Sequence, residues 1–333
     1  MNREDLNLTE KSYEAPKQNL WDGRKSPPEL GVQYWHQQVK FSDLTKSDPE
    51  ASKPKIALLG YACDEGVKRN KGRIGAAAGP DEIRKELARL AFHKGSQSIT
   101  DYGNLVCVDR DLAGCQNSLA TVIERLLDSD IFPIVMGGGH DIAYGHFKGI
   151  QKGLQKRGLS KIGILNFDAH FDLRPVEKEP NSGTPFNQIL TEHPNEVSYF
   201  ALGIQKAVNT KELFIIAKEK NVKYLFNESC ELTNFDVVTL KIDAFLEGVE
   251  ALYITVDLDG FSSAYAPGVS APSPLGFAPD FALKVLNHLL ESKKVVALDV
   301  AEMNPNFDRD QSTAQLAARI IDSFVMNVSV KLT

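Results

Sequence analysis

The sequence predicts an α/β protein built on a doubly wound, parallel sheet. Short apolar runs of four to eight residues, rich in Val, Ile, Leu and Phe and without polar alternation, recur from Lys55 onward. Such runs are typical of strands that are covered on both faces. Longer stretches of helical character lie between them, and strands that alternate with helices along one chain favour a single α/β domain.

Six predicted strands follow in chain order: KIALLG, FPIVMGGG, KIGILNFD, VSYFALG, LYITVD and KVVALDV. Two of the predicted helices are PDEIRKELARLAF and CQNSLATVIERLL. The first of these begins with a proline after a glycine, and proline is favoured in the first turn of a helix. No fixed-period repeat and no convincing linker interrupts this pattern, so residues 55–333 are predicted to form one catalytic domain.

The first 54 residues differ from the rest of the chain. They are polar and rich in Lys, Asp, Ser and Pro, yet they contain both tryptophans, Trp21 and Trp35. Because disordered segments are poor in aromatic residues, residues 1–54 are predicted to be an arm that packs on its own domain or on a neighbouring subunit. The stretch from Ser42 to Lys55 is predicted to be a mobile loop.

Composition and charge argue against several classes of function. A formal net charge of −6 is the wrong sign for a nucleic-acid-binding surface, which is normally basic. The sequence contains no apolar run long enough to span a bilayer and opens with no signal-peptide pattern, so we expect a cytoplasmic protein without a membrane partner. The four cysteines include no C-x-x-C pair and are expected to be reduced packing residues.

Candidate metal ligands follow four of the predicted strands. In an open α/β sheet, ligands bind beyond the carboxyl ends of the strands, and the polar clusters of this sequence fall at those ends. They are His140 after FPIVMGGG; Asp168, His170 and Asp172 after KIGILNF; Asp257 and Asp259 after LYITV; and Glu302 after KVVALDV. We therefore expect these side chains to meet in one site.

The stretch NFDAHFD shows how such residues can share a cleft. Residues i, i+2 and i+4 of an extended chain face the same way, so Asp168, His170 and Asp172 point together while Phe167 and Phe171 face packed surfaces. Several carboxylates at close range raise one another's pKa, and two divalent cations would neutralise them. Oxygen-rich ligands with two imidazoles and no thiolate favour Mn²⁺, although Zn²⁺ or Co²⁺ can replace it.

Each motif alone also has a purely structural interpretation. An Asp-x-Asp after a strand often caps a turn or a helix, and Gly-Gly-Gly-His often marks a loop that needs a positive φ. The combination of three clusters with complementary ligand types at strand ends favours a two-metal site. Such a metal pair can generate a hydroxide nucleophile near neutral pH.

Four blocks of the sequence resemble those of the arginase/agmatinase ureohydrolase superfamily: GGGHD at 137–141, DAHFD at 168–172, DLD at 257–259 and EMNP at 302–305. The resemblance runs from about Lys55 to the C-terminus. It implies a three-layer α/β/α domain (arginase-like) with an eight-stranded, mostly parallel sheet and two Mn²⁺ per subunit. It also implies that a metal-bridging hydroxide hydrolyses an amidine or guanidine carbon of a small-molecule substrate.

The resemblance also implies a role for each ligand. One metal would take His140 and Asp172, the other His170 and Asp259, and both would share Asp168 and Asp257 as bridges. Glu302 would bind the cationic nitrogen end of the substrate, since a carboxylate can accept two N–H donors; its structural alternative is a cap before Asn304. We predict that the catalytic residues are Glu302, Asp172 and Asp168.

Three departures from arginases and agmatinases indicate a particular branch. The loop after DAHFD reads NSGTPFNQ, so Ser182 precedes Gly183 where those enzymes carry a catalytic histidine, and His193 lies too far along to replace it. The chain continues after DLD as GFSSAYAPGVSAPSP, and its tail block reads AEMNPNFDRDQSTAQLAARI. These strings resemble the enzymes of histidine degradation that split N-formimidoyl-L-glutamate into formamide and L-glutamate.

The missing histidine fits that substrate chemically. A formimidoyl carbon bears hydrogen and two nitrogens, so it is more electrophilic than a guanidinium carbon, whose charge three nitrogens share. The proton for the leaving amine can come from Asp172 or from water, and the sequence leaves this choice open.

The glutamate part of such a substrate carries two carboxylates, which predicts fixed cations in the pocket. Arg174 is the first candidate, and Arg73, with Asn70 in the same Gly-rich loop, is the second, since an arginine can bind a carboxylate bidentately. Ser182 and Thr184 would add hydrogen bonds. For either arginine the alternative is that it holds a loop by binding backbone carbonyls.

Two other functions stay open at this point. One is an agmatinase-like or guanidino-acid ureohydrolase that releases urea, and the other is a metal-binding scaffold without turnover, although all six ligands are present. A zinc deacetylase of related fold is disfavoured, because it needs one metal and fewer acidic ligands. The resemblance implies a homo-oligomer, a trimer or a hexamer.

Overall fold

The computed structural model describes residues 6, 8–9, 11–46, 55–95 and 97–329. Most of the predicted mobile loop, residues 47–54, lies outside them. The strands within the described residues are β1 (Tyr13–Glu14), β2 (Lys40–Phe41), β3 (Ile56–Ala62), β4 (Ile99–Val106), β5 (Phe132–Gly137), β6 (Ile162–Phe167), β7 (Val197–Ile204), β8 (Lys223–Phe226), β9 (Ala251–Asp257) and β10 (Val295–Ala301).

The α-helices mostly fall between these strands, as the alternating pattern predicts. They are α1 (Trp35–Gln38), α2 (Glu65–Arg69), α3 (Gly79–Ala88), α4 (Leu112–Asp128), α5 (Ile142–Gln155), α6 (Pro185–Glu192), α7 (Lys211–Glu219), α8 (Phe235–Glu247), α9 (Pro279–Glu291) and α10 (Ser312–Asn327). Both helices singled out in the sequence are present as α3 and α4, the first with Pro80 in its first turn.

The strands form one sheet with the order β1-β4-β3-β5-β10-β9-β6-β7-β8, and β2 also pairs with β4. The eight strands from β3 to β10 are all parallel, which confirms the predicted sheet. The sheet has two more strands than the eight that were expected. The N-terminal segment supplies both, β1 pairing antiparallel and β2 pairing parallel with β4. This pairing covers backbone groups that a sheet edge would otherwise expose.

Helices cover both faces of the sheet, in the expected three layers. Successive residues of β3 show the division: Ile56 and Leu58 pack into one core with α3, α8, α9 and α10. Ala57 and Leu59 pack into the other core with α4, α5, α6 and α7. Because both faces are buried, the strands read as unbroken apolar runs, which is the pattern that predicted them.

The strand β4 escaped the sequence pattern because three of its buried residues are polar, Thr100, Asp101 and Asn104. The side chain of Asp101 is fully buried, and it accepts hydrogen bonds from Arg84 Nε and Nη2, each at 2.8 Å. A buried carboxylate is tolerated only when it is paired in this way. Tertiary partners therefore make a strand from a segment that reads as polar.

The N-terminal segment lies against its own chain. Trp35 is fully buried in the first core, and its Nε1 donates to Asp322 Oδ1 of α10 at 2.8 Å. The Nε1 of Trp21 donates to Asp101 Oδ2 at 2.8 Å. These contacts anchor the aromatic residues that mark the segment, whereas the boundary of the arm at residue 54 stays a prediction.

Across the described ranges of the chain, every helix is too short or too polar to cross a membrane.

Candidate metal centre and substrate pocket

Four strands that are neighbours in the sheet carry the predicted ligands. The order β5-β10-β9-β6 places His140, Glu302, Asp257 and Asp168 at adjacent carboxyl ends. Ligand sites of open α/β sheets lie at this edge. The sheet order, which the sequence does not reveal, is what brings these residues together.

The first group of candidate ligands surrounds the Nδ1 atom of His140. That atom lies 3.2 Å from Asp168 Oδ2, 3.1 Å from Asp172 Oδ2 and 3.0 Å from Asp257 Oδ2. His140 is buried, and among the described residues its Nδ1 has no partner in hydrogen-bonding geometry. A buried imidazole nitrogen without a hydrogen bond, facing three carboxylates, is suited to a divalent cation.

The second group comprises Asp168, His170 and Asp259. The Nδ1 of His170 lies 3.4 Å from Asp168 Oδ1 and 3.3 Å from Asp259 Oδ1. Asp168 belongs to both groups, one oxygen to each, as the resemblance implies for a bridging ligand. Asp257 joins only the first group, while its Oδ1 accepts from the backbone nitrogen of Asp259 at 2.8 Å. Its bridging role therefore stays a prediction.

The crowding of charge shifts the pKa of these side chains. Burial, reinforced by Asp259 and Asp168, raises the pKa of Asp257 well above its ordinary value. Burial raises the pKa of Asp259 to about 7, although His170 opposes this effect. Asp168 is the exception: burial would raise its pKa, but the nearby imidazoles of His140 and His170 hold it below the ordinary value. The cluster thus takes up protons without a cation, and a bound metal would displace them.

A buried network fixes the other side of the His140 ring. Its Nε2 lies 2.9 Å from Thr255 Oγ1, which donates to Asp299 Oδ1 at 2.6 Å. The second oxygen of Asp299 accepts from the hydroxyl of Tyr253 and lies 2.6 Å from His146 Nδ1. Outer partners of this kind set the tautomer and orientation of a metal-binding histidine. In the sequence, the only signal for Asp299 is a charged residue inside the apolar run KVVALDV.

The loop before His140 needs glycine for space and not for a positive φ. A Cβ on Gly138 would lie 1.8 Å from the backbone oxygen of Cys63. The glycines with positive φ are elsewhere, so the structural interpretation of Gly-Gly-Gly-His as a positive-φ loop was wrong. The tight packing brings the backbone nitrogen of His140 to 2.9 Å from Glu302 Oε1.

Glu302 lies beside the first group. It has a left-handed backbone with a φ of 69°. Its Oε2 is buried without a hydrogen-bond partner in the part of the chain that the structure describes. Burial, and then the charge of Asp257, raises the pKa of Glu302 well above its ordinary value. An unpaired buried acceptor with left-handed backbone is the kind of strained arrangement found at functional sites.

Glu302 and most of the candidate metal ligands line a pocket of about 330 Å³. The predicted substrate-binding residues Asn70, Arg174 and Ser182 line it too. The Nδ2 of Asn70 donates to Ser182 Oγ at 3.1 Å. A Cβ on Gly183 would lie 3.0 Å from Arg174 Cδ, so this glycine allows the arginine stem to cross the loop. The guanidinium of Arg174 has no hydrogen bond or ion pair to any described residue, which leaves it available for a ligand.

Three other residues are placed differently. Arg73 lines the pocket, but its Nε donates to Ser270 O at 2.9 Å and its guanidinium lies 3.8 Å from the ring centre of Phe307. Arg73 therefore holds a loop by binding a backbone carbonyl, which is the alternative to binding a substrate carboxylate. The hydroxyl of Thr184 is committed to Asn181 O and Gln188 Oε1, and the residue does not line the pocket. His193 lies 3.3 Å from Glu196, also away from it.

The pocket lining includes one cationic residue, Lys71, that the sequence motifs do not single out. Lys71 lies between Asn70 and Gly72 in the lining, with a backbone φ of 62°. A charged residue next to a predicted site residue in a Gly-rich loop was the available signal.

Comparison with known proteins identifies the class. Residues 54–327 match the model of the Arginase family, so the chain belongs to that family. Its relatives point to one activity within it. The chain is 38% identical over 327 residues to the formimidoylglutamase of Clostridium tetani, covering 96% of this chain and 97% of that protein.

Solved structures agree on the fold. The crystal structure of formimidoylglutamase from Bacillus subtilis matches with a TM-score of 0.79 at 21% identity, over 91% of this chain and 94% of that one. A Trypanosoma cruzi formiminoglutamase crystallised with two Mn²⁺ matches with a TM-score of 0.74 at 24% identity, over 84% and 95% of the two chains.

Proposed function

We propose that this protein is a formimidoylglutamase, which hydrolyses N-formimidoyl-L-glutamate to formamide and L-glutamate in histidine degradation. The observation that carries the proposal is the 38% identity to the Clostridium tetani enzyme over 96% of the chain. The convergence of the candidate ligands beside a pocket lined by potential substrate-binding residues supports turnover over a passive metal scaffold.

We further propose that the two ligand groups hold two Mn²⁺ per subunit, one group to each metal. The oxygen-rich donors, the two imidazoles and the unpaired nitrogen of His140 fit hard-to-borderline divalent ions. When bound, such a metal pair lowers the pKa of a shared water so that it can act as a nucleophile near neutral pH.

The chain's own residues bind and orient the substrate. The free Oε2 of Glu302 accepts an N–H of the formimidoyl group, while Arg174, Asn70 and Ser182 bind the carboxylates of the glutamate part. In the reaction, the oxygen of water bonds to the formimidoyl carbon, the bond from that carbon to the glutamate nitrogen breaks, and a proton passes to the leaving amine. Holding both ends of the substrate places the carbon in one position, which is a major source of rate enhancement.

We also propose that the protein is a cytoplasmic homo-oligomer, a trimer or hexamer, whose N-terminal arm spans residues 1–54. The exposed Val237 and Leu240, one turn apart on α8, offer apolar surface to a second copy. Light scattering coupled to size-exclusion chromatography measures this state directly, and a monomer at micromolar concentration would contradict it.

Product identification tests the proposed activity. Metal-stripped protein reloaded with Mn²⁺ is incubated in parallel with N-formimidoyl-L-glutamate, agmatine, arginine and 4-guanidinobutyrate. We expect formamide and glutamate from the first substrate and no urea from the other three. Urea from a guanidino compound would instead identify a ureohydrolase, and no product from any of them would favour the scaffold.

A further inference from the structure

Asn166 opens the stretch NFDAHFD but is not one of its candidate ligands. It lies on β6, two residues before Asp168, so both side chains are on the same face of the extended chain. Its side chain is fully buried. Burying an amide is costly unless its hydrogen bonds are made, so the contacts of Asn166 are informative.

The Nδ2 of Asn166 donates to Asp168 Oδ2 at 2.9 Å and to the hydroxyl of Tyr199 at 3.0 Å. An ionised carboxylate only accepts hydrogen bonds, so the amide must turn its NH₂ group toward Asp168. The Oδ1 of Asn166 has no hydrogen-bond partner among the described residues. The amide therefore makes its two bonds as a donor, and one of them goes to the shared ligand.

The two oxygens of Asp168 are held by different donors. Oδ2, which faces His140 in the first ligand group, accepts from Asn166. Oδ1, which faces His170 in the second group, accepts from the backbone nitrogen of His170 at 2.6 Å. Among the described residues, each oxygen thus has one hydrogen-bond donor, which is a side chain in the first group and a backbone nitrogen in the second.

Tyr199 is the second hydrogen-bond partner of the amide. Its hydroxyl accepts from Asn166 and donates to the backbone oxygen of Phe171 at 3.2 Å. Its ring stacks on Phe186, with centroids 4.4 Å apart and planes at 20°. The ring of Phe186 in turn packs edge-on against His140 at 5.3 Å. The amide, the carboxylate and the first histidine are therefore parts of one packed unit.

We propose that Asn166 is a positioning residue that aims Asp168 Oδ2 at the metal position of His140, and that it acts on this position and not on that of His170. The inference rests on the proposed two-metal centre, but it concerns metal affinity and does not depend on the identity of the substrate. Losing an outer hydrogen bond to a metal ligand typically weakens binding about 10- to 100-fold, and we expect this loss at the first position alone.

Mn²⁺ titrations of four variants test the proposal, with the electron paramagnetic resonance signal of the free ion as the readout. Asn166→Leu keeps the approximate shape of the side chain and removes the donor. It is made in a His140→Asn background, which leaves the second metal position intact, and in a His170→Asn background, which leaves the first intact. Each background with and without Asn166→Leu gives the four variants. In the His170→Asn background we expect Asn166→Leu to increase the dissociation constant for Mn²⁺ about 10- to 100-fold. In the His140→Asn background we expect it to change by less than about twofold.

Equal losses in both backgrounds, or no loss in either, would overturn the proposal. Tyr199→Phe is the matched control, because it removes a hydroxyl from the same unit but leaves the bond from Asn166 to Asp168; its affinity should stay within about threefold of the parent. A loss as large as that of Asn166→Leu would assign the effect to packing. Thermal unfolding of each metal-free variant checks the fold, and Asn166→Ala repeats the measurement if the leucine variant does not fold.

Discussion

Glu302 combines three features that each cost free energy. It is buried, its backbone is left-handed at a φ of 69°, and one of its oxygens has no hydrogen-bond partner among the described residues. Features of this kind persist where the surrounding structure enforces them and a ligand uses them. In the proposed reaction, the amidinium end of the substrate supplies the missing partner.

Glu302→Gln is predicted to trade stability against activity. The variant keeps the shape of the side chain but removes a buried carboxylate whose pKa is raised by burial and by Asp257. We expect the metal-free variant to melt at a higher temperature than the parent at pH 8, while kcat/KM falls at least about 100-fold. An unchanged kcat/KM would show that this carboxylate does not bind the reacting end of the substrate.

The two arginines of the pocket are predicted to behave differently. Arg174→Ala removes a guanidinium that is free to bind a substrate carboxylate, so we expect KM to rise about tenfold while kcat stays within about threefold. Arg73→Ala is the matched comparison, because that side chain holds Ser270 O and stacks on Phe307. It should lower the free energy of unfolding by about 1 to 3 kcal/mol. Steady-state kinetics and urea unfolding separate the two effects. A higher KM for Arg73→Ala with a lower stability for Arg174→Ala would show that Arg73 binds the substrate and Arg174 holds the loop.

At the scale of elements, β4 shows how a polar segment becomes a buried strand of the sheet. Asp101 is completely buried, and Arg84 of α3 and Trp21 of the N-terminal segment both donate hydrogen bonds to its Oδ2. The carboxylate of Asp101 thus connects its strand to a helix by an ion pair and to the N-terminal segment by a hydrogen bond. The three residues come from separate parts of the chain.

Breaking this pair is predicted to be costly. Arg84→Met leaves Asp101 buried without its cation, and we expect the free energy of unfolding to fall by about 3 to 5 kcal/mol. Lys85→Met on the same helix is the control: it breaks the more exposed pair with Glu82, which should cost less than about 1 kcal/mol. Urea unfolding of metal-free protein measures both. Similar losses in the two variants would show that the buried pair adds nothing special.

At the scale of the whole molecule, the carboxylate cluster links stability, metal and pH. The pKa of Asp259 is raised from 3.8 to about 7, and those of Asp172, Asp257, His140 and His170 are raised as well. A group with a raised pKa in the folded state stabilises the protein below its unfolded pKa, and this stabilisation is lost as the pH rises through the folded value. Asp168, with its lowered pKa, acts in the opposite direction.

The metal-free protein is therefore predicted to lose stability between pH 5.5 and 8, because in this range the folded cluster holds protons that the unfolded chain has released. Saturating Mn²⁺ should raise the melting temperature more at pH 8 than at pH 5.5, because metal binding competes with the protons of the cluster. Differential scanning calorimetry with and without metal measures both effects. The melting temperature of the metal-free Asp259→Asn variant should depend less steeply on pH. An identical slope would show that protonation of Asp259 does not cause the pH dependence.

The sequence determined much of this protein by itself. Unbroken apolar runs predicted six of the eight parallel strands from β3 to β10, since strands buried on both faces need apolar residues at every position. The alternation in NFDAHFD predicted which side chains face together, because the period of an extended chain is two. Strand ends with Asp, His and Glu predicted the ligand candidates, since ligands gather at that edge of such a sheet.

Only the tertiary structure decided the rest, because it depends on residues that are distant in sequence. The order β5-β10-β9-β6 makes four ligand-bearing strands neighbours, and no local pattern encodes that order. Partners from other elements turned the polar β4 into a buried strand and committed Arg73 to backbone carbonyls while leaving Arg174 free. They also placed Tyr199 against Asn166 and linked Asp299 to His140 through Thr255. A buried polar group is defined by its partner, and the sequence does not show which partner it will meet.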